Sequence, residues 1–159
     1  MSIEIGDTIP ETTLTFMGEN GPEPYSTTEV FRGKKVVLFS VPGAFTPTCS
    51  ARHLPGYVEQ ADELHAKGVD TIVCMAVNDV FVMDAWGKSA GADQLLMLAD
   101  GNGEFTRALG LELDATMFGM GHRSQRFALV AEDGVVKELF IEGPGEFRVS
   151  SAEHVLSVL

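Results

Sequence analysis

The sequence predicts an α/β fold with a central mixed sheet flanked by helices, and three observations lead there. Short apolar runs alternate with segments of helical periodicity, the pattern of strands covered by helices. Turn-forming Gly, Pro, Asn and Asp residues close each run. Near the end, RFALVAE and VVKELFIE flank Asp133-Gly134, a hairpin signal that makes the sheet mixed rather than all parallel.

Taken in order, VVLFSV (residues 36–41) follows Gly33-Lys34-Lys35 and reads as a buried strand, ended by Pro42 and Gly43. Leu54, Tyr57, Val58, Ala61 and Leu64 carry three-and-four spacing, so a helix follows and closes at Lys67-Gly68. VDTIVCMAV (69–77) is a second buried strand, and Asn78-Asp79 caps a helix running to about Ser89. LLMLA (95–99) is a third strand, followed by the turn Asp100-Gly101-Asn102-Gly103 and a short helix over 104–109. After the hairpin, Ser150 or Ser151 caps a closing helix. The Gly/Pro-rich stretches at 18–24 and 143–145 read as loops. A thioredoxin-like layout satisfies this order.

A chain of 159 residues with 45% hydrophobic composition suits one domain spanning residues 1–159. Eleven Lys and Arg against 23 Asp and Glu give a net charge of -12, which repels nucleic acid and anionic bilayers. The start MSIEIGDTIPE has no basic and apolar leader pattern, and no apolar run is long enough to span a membrane. The expectation is a soluble, unexported, cytoplasmic protein. Cys49 and Cys74 are too few for a disulfide framework and too far apart for a CxxC pair, which fits a reducing compartment.

The stretch VPGAFTPTCS (41–50) sets Cys49 between the end of a strand and the start of a helix, where ligands collect in open α/β sheets. A thiolate there is favoured by the positive end of the helix dipole and by unpaired amides. Thr46 can turn its hydroxyl toward the sulfur, while Pro42 and Pro47 stiffen the turn and shield it from water. The plainer reading, a Thr46-capped helix entrance with an inert cysteine, stands equally open on this pattern.

Cys74, mid-run in TIVCMAV, reads as a small core residue. His53, His65, His122 and His154 show no ligand spacing, so no metal is expected. A Cys-His hydrolase using His122 stays formally open, whereas a thioredoxin-type oxidoreductase would need a cysteine at position 52, which is Arg52. Arg126 opens an apolar strand and is either a solvated edge charge or a fixed cation for a thiolate; Arg123 lies in the same segment. Trp86 and Phe81, on the helix after Asp79, read as packing residues.

With these residues assembled, the chain resembles a peroxiredoxin: Pro42, Thr46 and Cys49 match that family's P-x-x-x-T/S-x-x-C signature. PGAFTPTCSARHLPGYVEQADELHAKGV, VNDVFVMDAW, MLADGNGEF and RSQRFALV with EDGVVK look like the type-five, plant type II-like members, over roughly residues 3–158. The resemblance implies a thiol-dependent peroxidase acting on hydrogen peroxide and organic hydroperoxides. It makes Cys49 the peroxidatic cysteine that becomes a sulfenic acid, with Thr46, Pro42 and Arg126 as its pocket partners and Arg123 secondary. It implies no metal, haem or flavin, and an external thiol, glutathione with glutaredoxin or thioredoxin, as reductant. A homodimer is implied too. EGPGEFRVSSAEH carries no cysteine where some relatives place a resolving one, so a one-cysteine cycle is expected. The rival reading is a non-enzymatic thioredoxin-like binding module.

Overall fold

The computed structural model describes residues 1–159. In chain order the elements are β1 (Thr13–Gly18), β2 (Gly21–Ser26), α1 (Thr27–Phe31) and β3 (Lys35–Val41). A π-helical turn (Cys49–His53) then runs into α2 (Leu54–Ala66). β4 (Thr71–Ala76), α3 (Val80–Ser89), β5 (Leu96–Ala99), α4 (Glu104–Leu109) and β6 (Glu112–Asp114) follow. A 3-10 turn (Thr116–Phe118) leads to β7 (His122–Ser124), β8 (Phe127–Glu132), β9 (Val135–Ile141) and α5 (Ala152–Val158).

Seven strands form one mixed sheet in the order β2-β1-β5-β4-β3-β8-β9, and β6 pairs with β7 in a separate ribbon. β3, β4 and β5 are parallel at its centre, and β8, β9, β1 and β2 pair antiparallel around them. The central runs are apolar on both faces because helices cover both. Val37, Phe39 and Val41 of β3 pack into one core with residues of α2, α3 and α5, while Val36 and Leu38 point into a second core with Phe31 and Phe105. Successive side chains of a strand alternate between faces, which puts Cys74 of β4 in the first core, where Cys49 of the π-helical turn also packs.

The predicted elements appear within a residue or two of their expected bounds, with caps as the chemistry requires. Asp79 Oδ1 accepts from the Val82 amide at 2.8 Å, and Ser151 Oγ from the His154 amide at 3.1 Å. Asp133 and Gly134 both take positive φ, 49° and 79°, as a two-residue hairpin turn demands.

One loop expectation is corrected. Residues 18–24 are not a loop: Gly21–Ser26 pairs in register with Thr13–Gly18, Met17 opposite Pro22 and Thr15 opposite Pro24. β2 lies at the edge of the sheet, the place where strand prolines are tolerated because no neighbour needs their missing N-H.

Candidate active site

Cys49 is built into place by the two ends of the stretch that carries it. β3 stops at Val41, and the chain passes over Phe45, a non-glycine residue with φ of 64°, before the helix begins. The Ala44 amide donates to Asn78 Oδ1 at 2.9 Å, tying this loop to the segment before α3. Gly43 is closely packed: a Cβ there would stand 3.0 Å from Met120 Cε and 3.2 Å from Thr46 Cγ2, so those side chains would have to give way. The sequence places Cys49 at a helix entrance, and the structure refines this to the first residue of the π-helical turn, whose carbonyl accepts from the Leu54 amide. Such single wide turns recur at functional sites, where they re-aim side chains.

Cys49 is fully buried, and Arg126 Nη2 donates to its Sγ at 3.1 Å. Arg126 sits immediately before β8, beside β3, so the sheet brings a cation from 77 residues away onto the thiol. Its other terminal nitrogen, Nη1, lies 2.8 Å from His53 Nδ1. A guanidinium has only donors, so Nδ1 must present its lone pair, and the ring proton is on Nε2, 3.0 Å from the Ser150 carbonyl. Tyr57 donates to the same carbonyl at 2.7 Å. Burial, reinforced by Arg126, lowers the His53 pKa to about 3, so the ring is neutral under physiological conditions.

Ser150 is itself held from the other side. Glu142 is 7% exposed and accepts from the amides of Arg148, Val149 and Ser150 at 2.7, 2.9 and 2.8 Å and from the Ser150 hydroxyl at 2.7 Å. Burial alone would raise this carboxyl. The hydrogen bonds, that of the Ser150 hydroxyl foremost, outweigh it and hold the carboxyl below its ordinary value. A continuous chain of hydrogen bonds thus runs from Glu142 through Ser150 and His53 to Arg126 and Cys49.

The remaining expectations divide. Thr46 Oγ1 donates to the Gly43 carbonyl at 2.6 Å rather than to Cys49, which leaves the hydroxyl oxygen as an acceptor. Pro42 and Arg126 line a cavity of about 350 Å³ together with Thr48, Gln125 and the turn from Glu142 to Glu146. Pro47, expected to stiffen the turn and shield the sulfur, is exposed at the start of the helix, where its fixed φ and missing N-H are harmless. Arg123 does not reach the thiol: it donates to the Met120 carbonyl at 2.8 Å and the Val77 carbonyl at 3.0 Å, bracing the loop under Gly43.

Cys74 is free and fully buried, and burial, with Cys49 nearby, pushes its thiol well above the ordinary range. Trp86 is a core residue, as expected, and its indole donates to Ser50 Oγ at 3.0 Å. His122 cannot serve Cys49 as a base: it is exposed and lies 3.5 Å from Glu112. His53 cannot either, since both its nitrogens are engaged.

His53 is the residue that sequence reasoning passes over, because four scattered histidines without ligand spacing read as surface or core residues rather than as a metal site. The available signal was its position four residues after Cys49, which puts both on one helical face. No three His, Cys, Asp or Glu side chains converge in the way a metal ion requires. Chemically, the arrangement can hold a buried sulfur anion against a fixed cation.

A redoxin family model matches residues 4–156. The chain is 50% identical to peroxiredoxin-2B of Arabidopsis thaliana, over 99% of this chain and 98% of that protein. It is 52% identical to the chloroplastic peroxiredoxin-2E-2 of Oryza sativa subsp. japonica, over 99% of this chain and 73% of the other. Among solved structures it is similar to reduced Prx3 of Vibrio vulnificus in complex with hydrogen peroxide, with a TM-score of 0.96 and 53% identity over 98% of both chains.

Proposed function

Because the chain belongs to the peroxiredoxins, thiol-dependent peroxidases of thioredoxin-like fold, we propose that Cys49 is the residue that attacks the peroxide, with Arg126, Thr46 and Pro42 as its pocket partners. The observation that carries this assignment is the 3.1 Å hydrogen bond from Arg126 Nη2 to the Sγ of the fully buried Cys49.

The Cys49 thiolate attacks one oxygen of the hydroperoxide, the O-O bond breaks, and the departing alkoxide or hydroxide takes a proton to leave as alcohol or water. Cys49 becomes a sulfenic acid. Arg126 opposes the charge on the sulfur and on the leaving oxygen, where a fixed donor is worth most because no solvent has to reorganise. Thr46, its proton already given to Gly43, accepts from the peroxide O-H and orients it. Pro42 narrows the approach and limits competing water. Thiolate character alone would not suffice, since lowering thiol basicity also lowers nucleophilicity.

Recycling follows a one-cysteine course. An external thiol displaces water from the sulfenic acid to give a mixed disulfide, and a second thiol releases Cys49 and leaves as the disulfide product. Cys74 is held as a buried thiol on a central strand, which supports a structural rather than a resolving role. Glutathione with glutaredoxin, or thioredoxin, would serve as reductant, and no bound cofactor is called for.

A homodimer and a reducing, cytoplasm-like compartment belong to the same proposal. The exposed apolar side chains Phe45, on the Cys49 loop, and Phe118, 55% and 74% accessible, support self-association. A purely binding module is disfavoured by the peroxiredoxin relatives that match nearly the whole chain.

Intact-mass analysis after one equivalent of hydroperoxide tests the assignment. One added oxygen, abolished by Cys49→Ser, is expected. No addition would end the proposal, and loss of two hydrogens would replace the one-cysteine cycle with a Cys49–Cys74 disulfide.

A further inference from the structure

Arg52 is a cation with no evident business of its own. It lies three residues after Cys49 on the π-helical turn, is exposed, and takes part in none of the ion pairs of the protein. Its guanidinium carbon nevertheless stands over the ring of Phe147, 4.7 Å from the centroid. A free surface arginine carries large rotamer entropy, and a flat aromatic contact removes much of it in advance.

Phe147 is also fixed to the catalytic centre. The His53 ring lies 4.8 Å away, and Arg126 stands over Phe147 at 5.8 Å. The turn that carries Phe147 is held by the buried Glu142 carboxylate through the amides of residues 148–150. One ring therefore joins a used cation, bonded to Cys49 and His53, to an unused one facing solvent.

We propose that Arg52, held on Phe147 beside the Cys49 centre, binds a carboxylate of the thiol that reduces oxidised Cys49, so that the site takes an anionic thiol peptide of the glutathione class in preference to an uncharged thiol. This rests on the peroxidase reading above. Hydrogen peroxide is neutral and small, and needs nothing beyond the pocket at Cys49. A thiol peptide is long enough to touch the sulfur and still place a carboxylate outside. The protein as a whole, at a net charge of -12, repels such a molecule, so a cation held one aromatic ring away from Arg126 offsets that repulsion locally. The step balances without a further reagent: sulfenic acid and thiol give mixed disulfide and water, with Arg52 unchanged.

The test is a rate ratio. The protein is oxidised with one equivalent of hydrogen peroxide, then mixed with glutathione or with glutathione diethyl ester, whose carboxylates are masked. The decay of the sulfenic acid is followed by mass. In the unaltered protein glutathione should be the faster, and added salt should narrow the ratio. Arg52→Glu should shift the ratio toward the ester by about tenfold, and Phe147→Leu in the same direction by less, in line with steering effects of single charges on association. The same ratio in Arg52→Glu as in the unaltered protein overturns the proposal. Failure of any sulfenic acid to form before thiol is added defeats the peroxidase reading, and this proposal with it, at a visibly different step. Arg52→Gln gives the same ratio measurement should the charge reversal disturb folding.

Discussion

Replacing His53 by asparagine removes a titrating ring while offering an amide oxygen to Arg126. His53 is fully buried, and its pKa falls from the ordinary 6.5 to about 3, first because burial deprives an imidazolium of water and second because Arg126 repels it. The Ser150 carbonyl and Glu142 favour the charged ring but too weakly to prevail. In the unfolded chain the ring takes its proton near 6.5, so below that pH the unfolded state binds more protons than the folded one. The stability contributed by the neutral buried ring is complete above pH 6.5 and is lost progressively as the pH falls toward 3. At about pH 5 the loss is about 2 kcal/mol, at ~1.4 kcal/mol for each pH unit below the unfolded pKa. Urea unfolding of both proteins at about pH 8 and about pH 5 reads this directly. Carboxylates such as Glu142 contribute to both proteins and cancel in the difference. The stability advantage of the unaltered protein over His53→Asn should shrink by about 2 kcal/mol on acidification. An advantage that is the same at both pH values would refute the buried, neutral, Arg126-bonded ring.

Arg126→Met should slow the peroxide step by about 10²-fold to 10³-fold, the usual effect of removing one fixed donor from a developing anion. Unchanged kinetics would remove Arg126 from the chemistry. Cys74→Ala should keep turnover with an external thiol, whereas loss of turnover would make Cys74 a resolving cysteine. Trp86→Phe breaks the indole bond to Ser50, worth about 1 kcal/mol, and should speed amide exchange across residues 49–53. Exchange confined to its original rate there would detach Trp86 from the Cys49 turn.

The strands and helices that carry the sheet were legible because their signals are local: apolar runs for β3, β4 and β5, three-and-four spacing for α2, and Asp133-Gly134 for the β8–β9 hairpin. β2 was not, since Pro22 and Pro24 argue against a strand until its place at the sheet edge is known. In the same way Cys49, Thr46 and Pro42 are readable because they lie within one short stretch.

By itself the sequence determined which thiol stands at a strand-to-helix junction, which arginine opens the apolar strand RFALV, and that no partner cysteine lies near either in the chain. Only the tertiary structure decided that Arg126 touches Cys49, that Arg123 braces a loop instead, and that His53 is a neutral acceptor. The physical reason is that these contacts join residues up to 97 positions apart, as His53 to Ser150. Their donor and acceptor roles depend on burial, which closes only when the sheet and its helices pack.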